Sequence, residues 1–334
     1  MLSGLRLALA CTVSDRTRPI LDGLVPIEGC EIQPVTGEPE ELFARALRER
    51  AFDVTELSLS SYLIALARGE SPYVAVPAFP SRAFRHGAVY VRTDRGIERP
   101  EDLAGRTLGV PEFQQTAALW VRGILADRHG VPPSAIRWRS GGLERPGGRE
   151  RIPIRVREGI ELRPIGPDDT LSGMLADGRL DGLVSPRPPS CFLEDHPMVR
   201  RLWRDHRAEE RRFYRETRMF PIMHVVAVRR DLAERRPWLA GAVLRAFARA
   251  KQLAIRELEQ TNFLRVALPW VDLEQVRELM GTDYWPYGLE PNRPELEAVA
   301  RWSFEEGLAV RRLEPSELFH PDTARAEAGG PGGA

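Results

Sequence analysis

The first ninety residues alternate between two hydrophobic periods, and this alternation constrains the fold more than any other feature. Strand-like apolar runs occupy Leu5–Cys11, Glu31–Thr36, Phe52–Leu57, Tyr73–Ala78 and Ala88–Arg92. Helical patterns sit between them. Thr17–Gly23 reads as a short helix. Glu38–Arg50 reads as an amphipathic one, with Leu42, Phe43, Ala46 and Leu47 on one face. Ser60–Arg68 reads as a third helix, with Ser58 or Ser60 placed to cap it. Strand, helix and strand in succession require crossovers, so the rhythm predicts a mostly parallel sheet covered by helices.

A second unit of the same kind begins near Asp94. Its strands are expected at Thr107–Val110, Ile136–Arg139, Ile160–Pro164 and Gly182–Ser185, with helices from Thr116 to about Arg128 and over Asp169–Ala176. Between two of these strands, Gly141–Arg157 is rich in Gly, Pro and Arg and reads as an exposed excursion. From His206 onward one strand, Met223–Arg229, is surrounded by helices at His206–Arg218, Pro237–Glu259, Leu273–Leu279 and Pro294–Gly307.

Composition removes several classes of function. The 334 residues carry 48 basic and 48 acidic side chains, and a single lysine, Lys251, stands among the basic ones. Zero formal charge argues against an electrostatic nucleic-acid binder. No apolar run approaches a bilayer span, so no membrane partner is expected. The arginine excess fits G+C-rich codon usage for most positions; a few guanidinium forks in stiff loops could recognise carboxylates. Cys11, Cys30 and Cys191 are too scattered for a disulfide framework, and the six histidines lack ligand spacing, so no metal is expected. No glycine-rich nucleotide fingerprint, P-loop or nucleophile elbow is present. No export signal precedes the first strand, which predicts a cytoplasmic protein.

Ligands in open α/β folds collect at carboxyl ends of strands and at helix N-termini. Six segments lie at such places. Phe79-Pro80-Ser81-Arg82-Ala83-Phe84-Arg85-His86 offers two guanidinium groups and an imidazole. Val54-Thr55-Glu56-Leu57-Ser58-Leu59-Ser60-Ser61-Tyr62 ends a strand in hydroxyls, with Glu56 among apolar neighbours. Val110-Pro111-Glu112-Phe113-Gln114-Gln115-Thr116-Ala117 repeats that geometry, so Thr116 is expected to face Ser60 and Ser61 across a cleft. Prolines on both sides stiffen the loop bearing Arg187. His224 follows Phe220-Pro221-Ile222-Met223 at a strand start. Asp283-Tyr284-Trp285-Pro286-Tyr287-Gly288-Leu289-Glu290-Pro291-Asn292, with three aromatics in a loop between helices, could wall an aromatic ligand. Each has an ordinary structural reading beside it: a solvated turn, helix capping or core packing.

Taken together and in order, Asp15-Arg16-Thr17, Ser58-Leu59-Ser60-Ser61-Tyr62, Phe79-Pro80-Ser81-Arg82 with Phe84-Arg85-His86, Val110-Pro111-Glu112, Gly123-Ile124-Leu125, Phe220-Pro221-Ile222-Met223-His224 and Trp285-Pro286-Tyr287-Gly288-Leu289-Glu290 resemble the bacterial 4,5-dihydroxyphthalate decarboxylase family from about Leu5 to about Phe319. The resemblance implies a type 2 periplasmic-binding-protein-like α/β fold: two lobes around a cleft, with the C-terminal helices on the first lobe. The lobes would be 1–93 with 206–334, and 94–205. It further implies cofactor-independent decarboxylation of a hydroxylated aromatic dicarboxylate, giving protocatechuate and CO2. On that reading Arg82, Arg85 and Arg187 are candidates to hold a carboxylate. His86, His224 and then Glu56 are candidates for proton transfer. Ser60, Ser61 and Thr116 would hydrogen-bond the hydroxyls, and Trp285 and Tyr287 would wall the ring. The expected partner is a small aromatic carboxylate, and a homo-oligomer is left open. The alternatives are a non-catalytic binding protein for an aromatic acid, since fold does not decide function, and a lyase for another hydroxylated aromatic acid.

Overall fold

The computed structural model of the chain describes residues 4–259 and 269–324. The chain first lays down β1 (Leu5–Ala10), β2 (Cys30–Val35), β3 (Val54–Ser58) and β4 (Tyr73–Arg82). It then crosses to β5 (Val89–Arg92), β6 (Thr107–Val110), β7 (Arg137–Ser140), β8 (Glu161–Pro164), β9 (Gly182–Val184) and β10 (Val199–Arg201). It returns through the helix His206–Thr217 to β11 (Ile222–Arg229).

Two sheets result. The first has the order β2-β1-β3-β11-β4, and the second β10-β5-β9-β6-β7-β8. β1 pairs parallel with β2 and β3, whereas the returning β11 is antiparallel to both β3 and β4. In the second sheet β9, β6, β7 and β8 run parallel, and β5 is antiparallel to β9 and β10. The sheets are therefore mixed where the alternating pattern predicted mostly parallel ones. The antiparallel strands are those next to the two crossings, where the chain reverses its route. Val89–Arg92, which the sequence division at residue 93 leaves in the first unit, pairs within the second sheet.

Apolar burial explains the layers. β3 and β11 are buried along nearly their whole length and carry Val54, Leu57, Val225, Val226 and Val228, as expected of strands covered on both faces. The long helix Trp238–Leu258 packs on β4 through a face of Leu239, Val243, Phe247 and Ala250. The helix Arg293–Glu305 touches both the first-unit helix Leu59–Ala67 and the second-unit helix Thr116–His129. The latter contact is close: a Cβ on Gly123 would stand 2.2 Å from the Trp302 ring. Beside it, fully buried Arg122 donates from Nε and Nη2 to Glu306 Oε2 at 2.9 and 2.6 Å. The units are thus joined here by packed aromatic and ionic groups.

The excursion between β7 and β8 is not the free loop its composition suggested. Ile152, Ile154 and Val156 pack against the main core. Arg48 donates from Nε to the Arg151 carbonyl at 2.8 Å, and Arg68 from Nη1 to the Pro153 carbonyl at 2.8 Å. Both donors belong to the first unit, so the segment is a strap laid across from the second.

Candidate active site

A cavity of about 220 Å³ opens between the two units. It is lined by Phe43, Ser58, Arg85, Gln115, Thr116, Arg151, Arg187 and His224, among others. A broader depression of about 530 Å³ lies elsewhere, lined by Arg50, Glu70, Arg229 and Asp231. Its charges neutralise one another locally: Arg229 meets Asp53 at 2.8 Å and Asp231 at 2.7 Å.

The cavity's most reactive pair is built by strand register. Val226 of β11 stands directly opposite Glu56 of β3, and side chains two apart share a face of a sheet. His224 and Glu56 are therefore diagonal neighbours, and His224 Nδ1 lies 2.5 Å from Glu56 Oε1. The other oxygen, Oε2, accepts from the Thr12 amide at 2.8 Å and its hydroxyl at 2.7 Å, just beyond β1. Glu56 is completely buried, which pushes its carboxyl pKa up. The hydrogen bond and charge of His224, with the two Thr12 donors, outweigh burial and leave it below the usual carboxylate range. An ionised Glu56 can only accept, so Nδ1 is the donor and Nε2 is the nitrogen left to the cavity. The imidazole side chain is 19% exposed, against 0% for Glu56. Phe43 presses on the ring edge-on, with centroids 4.8 Å apart.

Arg85 supplies positive charge to the same cavity. Its Nε donates to Met223 Sδ at 3.0 Å, and among the described residues no carboxylate lies within ion-pair distance of it. Burial lowers its pKa to about 10, with Glu210 pulling in the opposite direction.

A local defect interrupts the pairing of β4 with β11 next to His224. Ser81 pairs with His224 and Val76 with Val226, so four residues of β4 stand against one of β11. Two of the four, Pro77 and Pro80, have no N–H to give the ladder. The freed carbonyls find other donors. Pro77 O accepts from the Gly288 amide at 2.8 Å, Phe79 O from Trp285 Nε1 at 2.8 Å, and Pro80 O from Arg16 Nε at 3.1 Å. Arg16 stacks 3.8 Å above the Trp285 ring.

The sequence candidates divide accordingly. His224, Arg85 and Thr116 line the cavity, and Glu56 backs His224 from within the core. Ser58 and Thr116 hydroxyls are 2.9 Å apart, and Thr116 Oγ1 accepts from the Ser60 amide at 3.1 Å. Ser60 and Ser61 are fully buried behind that contact rather than in the wall; Ser61 donates to Gln114 Oε1 at 3.0 Å. Arg82 does not face the cavity. It is buried against Asn292 and Glu295, because β4 turns its side chain into the C-terminal helices. His86 is boxed between Trp203 and Phe213, with ring centroids at 5.1 and 5.4 Å. Burial, then the positive neighbours His129, Arg128 and Arg212, lowers its pKa to about 4, so it is a neutral core histidine. Arg187 reaches the mouth, where it is bound by Glu38 at 3.0 Å and Glu40 at 2.7 Å. Trp285 and Tyr287 brace the β4 defect and do not line the cavity; the Tyr287 hydroxyl is buried and its pKa raised by that burial. Arg151 and Gln115 line the cavity and were not singled out by sequence. Among the described residues no group of three or more His, Cys, Asp or Glu side chains could hold a metal ion.

No family model matches the chain. It is 46% identical over 322 residues to a 4,5-dihydroxyphthalate decarboxylase of Comamonas testosteroni, covering 96% of this chain and 98% of that protein. It is 45% identical over 215 residues to one of Pseudomonas putida, covering 64% and 83%. Its fold is similar to the periplasmic aliphatic sulphonate binding protein of Escherichia coli (TM-score 0.56, 14% identity, 96% of this chain and 99% of that one). A putative sulfonate-binding protein of Methylobacillus flagellatus is similar as well (TM-score 0.58, 12% identity, 96% and 93%). These likenesses give the two-lobed type 2 periplasmic-binding-protein architecture, and the full-length identity gives the family: the chain belongs to the 4,5-dihydroxyphthalate decarboxylase family.

Proposed function

We propose that this protein removes one carboxylate from 4,5-dihydroxyphthalate, giving protocatechuate and CO2 without a cofactor. The observation that carries the reading is one cavity holding a carboxylate-backed imidazole beside a buried guanidinium that forms no ion pair among the described residues. Family membership supports it. The cavity is below the roughly 300–1,000 Å³ typical of drug-sized ligands, which suits one substituted ring.

The chemistry assigns each group a task. The hydroxyl para to the departing carboxylate pushes electron density into the ring. Protonated His224 gives its Nε2 proton to the ring carbon bearing that carboxylate, and Glu56 stabilises the imidazolium before transfer. The bond to the carboxylate then breaks, its electron pair restores the aromatic ring, and CO2 leaves. One proton is taken up overall, and His224 regains it from solvent. Arg85 holds the retained carboxylate, which stands on the ring carbon next to the reacting one. Ser58, Thr116 and Gln115 offer hydrogen-bonding groups to the ring hydroxyls.

A binder of an aromatic acid with no turnover would share this fold. Incubation of the full chain with 4,5-dihydroxyphthalate separates the two. Release of equimolar CO2 and protocatechuate supports the decarboxylase; tight binding of unchanged substrate supports the binder and overturns the proposal.

A further inference from the structure

The strap between β7 and β8 brings a second guanidinium to the cavity. Arg151 is 4% exposed and lies in the cavity wall. Its Nε and Nη2 both donate to the Glu112 carboxylate at 2.9 Å, the two-pronged geometry that fixes a guanidinium plane. Its Nη1 is buried and, among the described residues, has no hydrogen-bond partner. An unpartnered buried donor on a charged group is costly and calls for an explanation. The Phe43 ring, which presses on His224, also lies 5.4 Å from the Arg151 guanidinium. Arg151 and His224 thus flank one aromatic side chain in one cavity.

The strap is held from two directions. Glu150 accepts from the Phe113 amide at 2.6 Å and from Gln114 Nε2 at 2.8 Å, within the second unit. Arg48 and Arg68 of the first unit grip the carbonyls of Arg151 and Pro153. Gly148, at φ +89°, lets the chain turn back tightly, since a Cβ there would stand 2.7 Å from the Gly142 amide nitrogen.

We infer that Arg151 is a specificity-determining residue: its free Nη1 binds the second of two neighbouring carboxylates, so the cavity selects an ortho-dicarboxylate over a monocarboxylate. Arg48 and Arg68 act through it as positioning residues. The inference rests on the aromatic-dicarboxylate reading above, but it is tested by binding alone.

The probes are phthalate, which has two adjacent carboxylates and no hydroxyls, and benzoate, which has one. Titration calorimetry on the full chain should show phthalate bound about tenfold or more tightly than benzoate, as a charged hydrogen bond provides. Arg151→Gln should bring phthalate down to the benzoate level and leave benzoate within about twofold. Arg151→Gln leaves Glu112 unpaired and can misfold, so the double variant Glu112→Gln/Arg151→Gln, which removes both charges, is measured beside it. Arg48→Ala, outside the cavity, should weaken phthalate and spare benzoate, with a smaller effect. An unchanged phthalate preference in either folded Arg151 variant overturns the inference. If the preference follows Arg151 while no CO2 is released from 4,5-dihydroxyphthalate, the catalytic reading fails and this one stands. If CO2 is released and the preference ignores Arg151, the reverse holds.

Discussion

Two histidines near the cleft have opposite surroundings. His224 sits in a strand, backed by a fully buried carboxylate, with its second nitrogen left to the cavity. His86 sits in a short helical turn after β4, enclosed by Trp203 and Phe213 and surrounded by positive charge. One imidazole lies 2.5 Å from a carboxylate oxygen, and the other is held neutral by burial and positive neighbours. The proposed proton donor and the core filler are the same residue type, so the partner and not the residue type separates them.

The largest break in this comparison should come from His224→Gln. It keeps the shape and removes the titratable nitrogen, and turnover of 4,5-dihydroxyphthalate should fall about 10²–10⁴-fold. Substrate affinity, followed by titration, should change little.

Arg85→Gln tests the residue next to His86 in sequence that reaches the cavity. Loss of a charge-assisted contact should raise KM about 10- to 100-fold, with kcat less affected. An unchanged KM in steady-state kinetics would remove Arg85 from the substrate contacts.

Glu56→Gln should lower kcat about tenfold or more, because the imidazolium loses an ionised partner worth about 1.5–3 kcal/mol. It should also alter acid stability. The folded pKa of Glu56 is depressed, so its contribution is present above the ordinary value of 4.5 and is lost as pH falls through the folded value. Urea midpoints measured below pH 4.5 should therefore converge for the variant and the parent.

His86→Phe should have the smallest catalytic effect, with kcat within about twofold of the parent, since the ring does not reach the cavity. Its signature is in stability. The folded pKa, about 4, lies below the ordinary 6.5, so the unfolded chain takes up the proton first. Stability should decline as pH falls from 6.5 to 4, and the phenylalanine variant should lose that decline. A pH-independent parent over this window would contradict the buried neutral assignment.

The alternation of strand and helix patterns was enough to give two α/β units, and strand-end chemistry singled out Glu56 and His224 separately. Their pairing was not legible. It depends on β11 returning antiparallel beside β3, a register fixed by tertiary packing across most of the chain. Arg82 was misleading for a related reason. It and Arg85 share a loop sequence, but strand direction turns Arg82 toward Asn292 and Glu295 and leaves Arg85 in the cavity. Arg151 was hidden by composition, because a stretch rich in Gly, Pro and Arg resembles a solvated loop. A signal was present: Ile152, Ile154 and Val156 repeat with period two, which marks a segment with one face packed. The two prolines of β4 were visible, but not that their missing donors open the strand beneath the site.

The most direct test of the account is a crystal structure of the protein with phthalate bound. The ligand should lie in the cavity between the two units, with one carboxylate on Arg85 and the ring beside Nε2 of His224. Phthalate seated elsewhere, or with its ring out of reach of His224, would contradict it.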